Sequence, residues 1–256
     1  MMKLLLIFFV LLMMSLHVRA DVEPARRVEL GFSQGSYSNS SKASETALRV
    51  RAPLREGIDV GFDFSQREVF GEKGMLLSPF AALAFGERWI FQGGGIVSDS
   101  SPVYPVSQIS AQAGYKWLDS REIITFVGAG KTNYQESAYE EFILGEVVWY
   151  SPWGLILQAG NRFVKSEPLG DSYGRLYAVA TYQLQKGSVS VRHDRGREAY
   201  EIVAVDRTRF NFESSSTSLQ ARLILPENLI GIAGFEDYQS EGLNRQTWSL
   251  GVGVGF

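Results

Sequence analysis

The sequence predicts an all-β protein: an antiparallel up-and-down transmembrane β-barrel of about 14 strands, with 12 as the alternative. Three observations carry that prediction. Apolar and polar residues alternate with period two along most of the chain, the mark of strands with one apolar and one polar face. Short polar turns recur about every 33 residues. The last stretch alternates up to an aromatic terminus, with Trp248, Leu250, Val252, Val254 and Phe256 on one parity and Thr247, Ser249, Gly251, Gly253 and Gly255 on the other.

Taken in order, Val28, Leu30 and Phe32 alternate with Glu29, Gly31 and Ser33, and Ile58, Val60, Phe62 and Phe64 with Asp59, Gly61, Asp63 and Ser65. The pattern returns in Ile109 to Trp117, Leu176 to Leu184 and Leu219 to Leu225. Six short turns separate strand pairs, at 55–57, 86–88, 119–121, 151–154, 185–187 and 226–228. Longer polar stretches alternate with them, the longest at about 195–212, which is read as a surface loop. Short turns on one side and longer loops on the other are the layout of an outer-membrane barrel. The expected strands are 26–37, 44–54, 57–70, 75–85, 88–97, 106–118, 121–131, 138–150, 154–165, 173–184, 187–194, 213–225, 228–238 and 245–256. The fourth, fifth, seventh, eighth and thirteenth carry apolar residues on both parities, so their faces stay unassigned. Trp89, Trp117, Trp149 and Trp153 cluster near the short turns, where an interfacial aromatic girdle belongs.

Residues 1–20 run from Lys3 through an apolar stretch to Val18-Arg19-Ala20, the pattern of a secretory signal peptide, so the mature barrel domain is expected over 21–256. Removing Lys3 and Arg19 leaves 23 basic against 28 acidic residues, a net charge of −5. That balance argues against nucleic acid as a partner. The absence of cysteine excludes disulfides and thiolate metal sites. The expected location is the bacterial outer membrane, with its lipid and the barrel-assembly machinery as partners. The terminal strand through Phe256 looks like the signal such machinery reads.

The chain also resembles the YaiO-like family of outer-membrane β-barrels. The resemblance is carried by Ser101-Pro102-Val103-Tyr104, Gly170-Asp171-Ser172-Tyr173, Arg195-Gly196 and Ala199-Tyr200, in order along the chain. It implies fold and location, and brings no activity with it.

Chemistry-bearing motifs are sparse. The only histidine after residue 20 is His193. Ser188 and Ser190 lie at odd spacings from it, so a strand would turn them to the opposite face. No phosphate loop, nucleophile elbow or His-Glu-x-x-His motif occurs, so no enzyme, no metal site and no cofactor is expected. On the inward parity the readable strands place Arg49, Arg51, Lys116, Arg162, Arg175, Arg192 and Arg222, with Glu29, Asp59, Asp63 and Asp194. This lumen leans positive. The function expected is a narrow channel or export conduit for polar or anionic solutes such as saccharides. The alternative is a closed structural or surface-binding barrel acting through its loops. The inward glycines Gly31, Gly61, Gly114 and Gly160 are expected to leave room in the lumen.

Overall fold

The computed structural model describes residues 25–99, 104–135, 138–167, 172–204 and 207–256, with side chains described outside 199–211. The expected signal peptide lies outside the described residues. Fourteen antiparallel strands close into one barrel: β1 (Arg27–Tyr37), β2 (Lys42–Arg55), β3 (Ile58–Val69), β4 (Glu72–Phe85), β5 (Trp89–Ser98), β6 (Ser107–Trp117) and β7 (Ile123–Asn133) are the first seven. They are followed by β8 (Tyr139–Tyr150), β9 (Leu155–Glu167), β10 (Ser172–Leu184), β11 (Gly187–Ala204), β12 (Arg207–Ile224), β13 (Leu229–Ser240) and β14 (Leu243–Gly255). Each strand pairs with its sequence neighbours, and β1 pairs with β14 from Arg27↔Gly255 to Tyr37↔Arg245. Closure removes the sheet edge that an open sheet would expose. The rim where β1 begins and β14 ends is called here the near rim, and the opposite one the far rim.

Period two is what makes the barrel legible, because alternate residues leave the sheet on opposite sides. Leu30, Phe32, Ile109, Leu176, Leu250 and Val252 stand outward and exposed, as the parity predicts. A continuous apolar outer surface without helices to cover it belongs in lipid. At the near rim the tryptophans do form a girdle. Trp89 and Trp117 both contact the Tyr115 ring, at 5.0 and 4.7 Å between centroids, and Trp149 meets Trp153 at 6.4 Å.

The turns are built from their residue types. At 151–154, the Ser151 Oγ accepts from Leu155 N at 2.9 Å, and Gly154 takes φ +80°, where a side chain would be strained. At the far rim Phe70 and Gly71, both at positive φ, make a two-residue hairpin. Phe70 tolerates this because its ring packs on Tyr37 in a cluster with Ala43, Val69 and Leu243.

The far rim differs from the sequence expectation in one respect. The stretch 195–212 is not a long loop: β11 and β12 run on as a ladder from Gly187↔Leu223 to Ala204↔Arg207. Likewise 241–242 is a tight turn closing on the Ser240↔Leu243 pair. Past Asp194 the sequence sets Arg195, Arg197 and Glu198 in succession with no sustained apolar parity, so it reads as loop.

Candidate functional site

The lumen is the site, and its floor is set by glycines. Four inward glycines stand directly across the ladder from an inward aromatic ring: Gly61 from Phe80, Gly114 from Phe126, Gly130 from Phe142 and Gly160 from Tyr177. In each pair a Cβ on the glycine would collide with that ring. The glycine lets the ring lie flat against the wall, a cross-strand arrangement in which the ring covers the bare backbone. Gly61, Gly114 and Gly160 therefore do not leave lumen space, against the sequence expectation. Gly31, which has only backbone atoms near 4 Å, does.

Three of these rings carry a guanidinium. Arg51 lies over Phe80 at 4.2 Å, Arg162 over Phe142 at 3.7 Å and Arg192 over Tyr177 at 5.0 Å, all within cation–π range. Each of the three also meets a carboxylate: Asp63 at 2.6 Å, Glu140 at 3.5 Å and Asp194 at 2.6 Å, respectively. Glycine, ring, arginine and carboxylate thus form a unit that recurs on three parts of the wall. Arginine suits it because its planar, weakly hydrated head can stack on a ring and fork to a carboxylate at once.

Other expected lining residues join the same fabric. Arg222 on β12 reaches past two strands to hold Glu29 on β1 through two hydrogen bonds, at 2.6 and 3.1 Å. Arg175 bonds Glu198 at 2.5 Å and the Ser214 hydroxyl at 3.1 Å. Arg49 stands across from Glu29 on one side and Asp63 on the other. Lys116 and Asp59 sit near the near rim, Asp59 exposed there.

Sequence reasoning missed Glu140, Glu146, Glu198, Glu236 and Arg245, all on the inward parity. Glu140 accepts from the Tyr173 hydroxyl at 2.6 Å and the Tyr134 hydroxyl at 3.1 Å. Glu146 accepts from Tyr177, and Arg245 bonds Glu236 at 2.5 Å. The first two lie on β8, where Phe142, Leu144 and Val148 share the inward parity and blur it. The inward glycines on β7 and β9 were the available signal, since each calls for a ring on the strand beside it. With these five added, the named inward residues come to eight bases and eight acids, and the positive lean is gone.

Just ahead of β6, the Tyr104 hydroxyl lies 2.9 Å from Ser65 Oγ on β3. Burial holds the Tyr104 phenol above its ordinary pKa, and Glu45 pushes the same way. His193 faces outward, its Nδ1 2.9 Å from Thr217 Oγ1, while Ser190 faces inward and meets Thr181. No cluster of metal-ligating side chains occurs among the described residues.

Solved structures share this architecture. The CymD monoaromatic hydrocarbon channel is similar over 92% of this chain and 89% of its own, at 7% identity and a TM-score of 0.60. A bacterial polysaccharide outer membrane secretin matches over 92% and 100%, at 12% identity and 0.55. The Acinetobacter baumannii outer membrane protein Omp33 matches over 91% and 100%, at 10% identity and 0.52. At such identities the likeness is one of fold, that of outer-membrane barrels. No curated protein matches the chain. Residues 25–201 match the YaiO membrane beta barrel domain, and the chain belongs to that family, a barrel of the bacterial outer membrane.

Proposed function

We propose that this barrel is a narrow, water-filled channel for polar solutes with a mild preference for anionic ones, saccharide chains among them. Fourteen strands spaced ~4.8 Å apart and tilted ~40° close on a backbone diameter of about 28 Å, wide enough for a wet passage between lined walls. The ion pairs described above lie within one strand, as Arg192 and Asp194 do, or join adjacent or nearby strands, and so run along the wall. The observation that carries the reading is the order of charge at the wall. Glu140 and Asp194 are 7% and 9% exposed, whereas their partners Arg162 and Arg192 are 31% and 49% exposed. At these two pairs the carboxylate lies behind and the guanidinium is the more exposed partner, so a solute meets a cation first there, whereas at Arg245 and Glu236, 19% and 34% exposed, the order is reversed. Each arginine is nevertheless paired, which weakens the field and keeps the preference mild. Arg51 and Asp63 are more evenly exposed, at 24% and 32%.

The test is planar-bilayer recording with reversal potentials in a salt gradient. Wild type is expected to conduct with mild anion preference that fades as salt rises and the screening length falls to about 3 Å near 1 M. Arg162→Gln and Arg192→Gln should each move the reversal potential toward cations, and Arg49→Gln and Arg51→Gln should do so less. Folded protein that never conducts would favour a closed barrel working through its far-rim hairpins, a reading that the long β11–β12 ribbon supports. For assembly, we propose that the outward row Trp248, Leu250, Val252, Val254 and Phe256 is what folding machinery reads. Phe256→Ser should lower the amount of folded barrel in the membrane more than Leu54→Ser at the near rim does.

A further inference from the structure

Two adjoining hollows on the outer wall have no part in the lumen. The larger, about 940 Å³, lies on the outward face of β6 to β10 toward the far rim. Its floor is a single row across the ladder, Ala111↔Ala129↔Ile143↔Phe163↔Gly174. Within that row the small residues Ala111, Ala129 and Gly174 make the low ground, while Ile143 and Phe163, with Ile109 beside them, stand up, each at least 60% exposed. The smaller hollow, about 370 Å³, shares Ser172, Tyr173 and Gly174 with the larger and continues onto Arg195, Arg197 and Glu213. There β11 and β12 run on past the level of Ser172 as a paired ladder.

The two hollows differ in chemistry. The first is apolar and faces lipid. The second presents two exposed arginines on the outward parity, and among the described residues no ion pair or hydrogen bond engages either guanidinium. Elsewhere the basic residues bordering this face are matched: Lys131 pairs with Glu141 and Lys165 with Glu167, both at 3.3 Å. Glu213, across the ladder from Arg197, offsets part of the charge and leaves the cleft net positive. An unmatched arginine pair at the lip of an apolar groove, on the membrane face of a barrel, calls for a ligand with an apolar tail and an anionic head. Guanidinium forks suit phosphate in particular.

We propose that this face binds a phosphate-bearing lipid of the outer leaflet, with an acyl chain packed against the sides of Ile143 and Phe163 over the low ground of Ala129 and Gly174, and a phosphate on Arg195 and Arg197. The site lies toward the far rim, which is the outer side if the shared rim of β1 and β14 faces the periplasm as in other outer-membrane barrels. It is independent of whether the lumen conducts.

The experiment is native mass spectrometry of the detergent-solubilised barrel titrated with bisphosphorylated lipid A and with the same lipid stripped of phosphate. Wild type should hold the phosphorylated lipid at least tenfold more tightly. Arg195→Gln and Arg197→Gln should each weaken that binding about fivefold, the size expected for one basic group at a lipid surface. Neither should change binding of the stripped lipid. Ala129→Phe, which fills the groove, should weaken both lipids, while Lys73→Gln on the far side of the sheet should change neither. Equal wild-type affinity for the two lipids overturns the proposal, and that comparison stands even if Ala129→Phe fails to fold. A mass of two chains that Ala129→Phe abolishes would assign the groove to a second copy and overturn it as well.

Discussion

The inward face of β10 to β12 and the inward face of β7 to β8 line the same lumen by opposite means. The first carries Arg175, Tyr177, Arg192, Asp194 and Ser214, tied together by ion pairs and hydroxyl bonds. The second carries, in its near-rim half, Ile124, Phe126 and Val148, packed with Ile90 and Ile156 into an apolar cluster, and only farther along β8 the hydrogen-bonded Glu146 and Glu140. Both walls satisfy the same condition, that an inward side chain must find partners, one through charge pairing and the other by hiding from water. The difference teaches that a barrel interior is not a uniformly polar counterpart to its lipid face. Part of it is a packed core.

The largest test of that contrast is Phe126→Ala. The Phe126 ring is 6% exposed and lies over Gly114, so its loss opens a cavity and uncovers the glycine backbone together. A buried aromatic truncated to alanine costs about 3 to 5 kcal/mol. Denaturant unfolding in detergent micelles should show it as an earlier midpoint. A cost below about 1 kcal/mol would mean that the cluster is not a core.

On the charged wall the matching test is Glu29→Gln. Glu29 is 4% exposed and holds Arg222, with Arg27 at 3.0 Å on its other side. Removing its charge leaves two half-buried guanidiniums short of an acid, and about 2 kcal/mol is expected after allowing for their access to water. Replacing Glu29 and Arg222 together by methionine should recover most of it, because paired burial of charge contributes little net stability. Failure of the double variant to recover would show that the pair holds β12 and β1 in a way packing cannot replace.

These two walls also explain what could be read from the sequence. Strand number and register were legible wherever one parity was polar, as in β1, β3, β6 and β10, since a one-residue slip would turn every apolar residue inward. On β8 the inward residues Phe142, Leu144 and Val148 are as apolar as the outward Ile143 and Val147, so Glu140 and Glu146 had no readable face. The ring that each of Gly130 and Gly160 accommodates is a fact of register, which periodicity alone does not supply. The hairpin beyond Asp194 was hidden for a different reason, because Arg195, Arg197 and Glu198 break any apolar parity there.

A milder probe goes to the glycines shared by the two walls. Gly160→Ala sets a methyl against the Tyr177 ring, displacing it from Glu146 and Arg192, whereas Gly31→Ala meets only two backbone oxygens at ordinary van der Waals distance. Overpacking of this kind costs about 1 to 3 kcal/mol, so Gly160→Ala should lower the unfolding midpoint and Gly31→Ala should leave it nearly unchanged. Equal effects would deny that the ring needs the glycine.

The smallest expected effect concerns the β5–β6 connection, which joins neither wall and is held to β3 by the Tyr104 and Ser65 hydroxyls. Tyr104→Phe removes one hydrogen bond, about 0.5 to 1.5 kcal/mol. The pH dependence follows from the phenol, whose pKa burial raises in the folded protein. A group raised on folding contributes stability that is fully present below its unfolded pKa, about 10 for tyrosine, and lost as pH rises through the folded value. The wild type should therefore unfold later than Tyr104→Phe by a constant margin from pH 7 to about 9.5, and the margin should shrink only in stronger alkali. A margin that never shrinks, even in strong alkali, would mean that folding does not raise the phenol's pKa, and would take Tyr104 off the lumen wall.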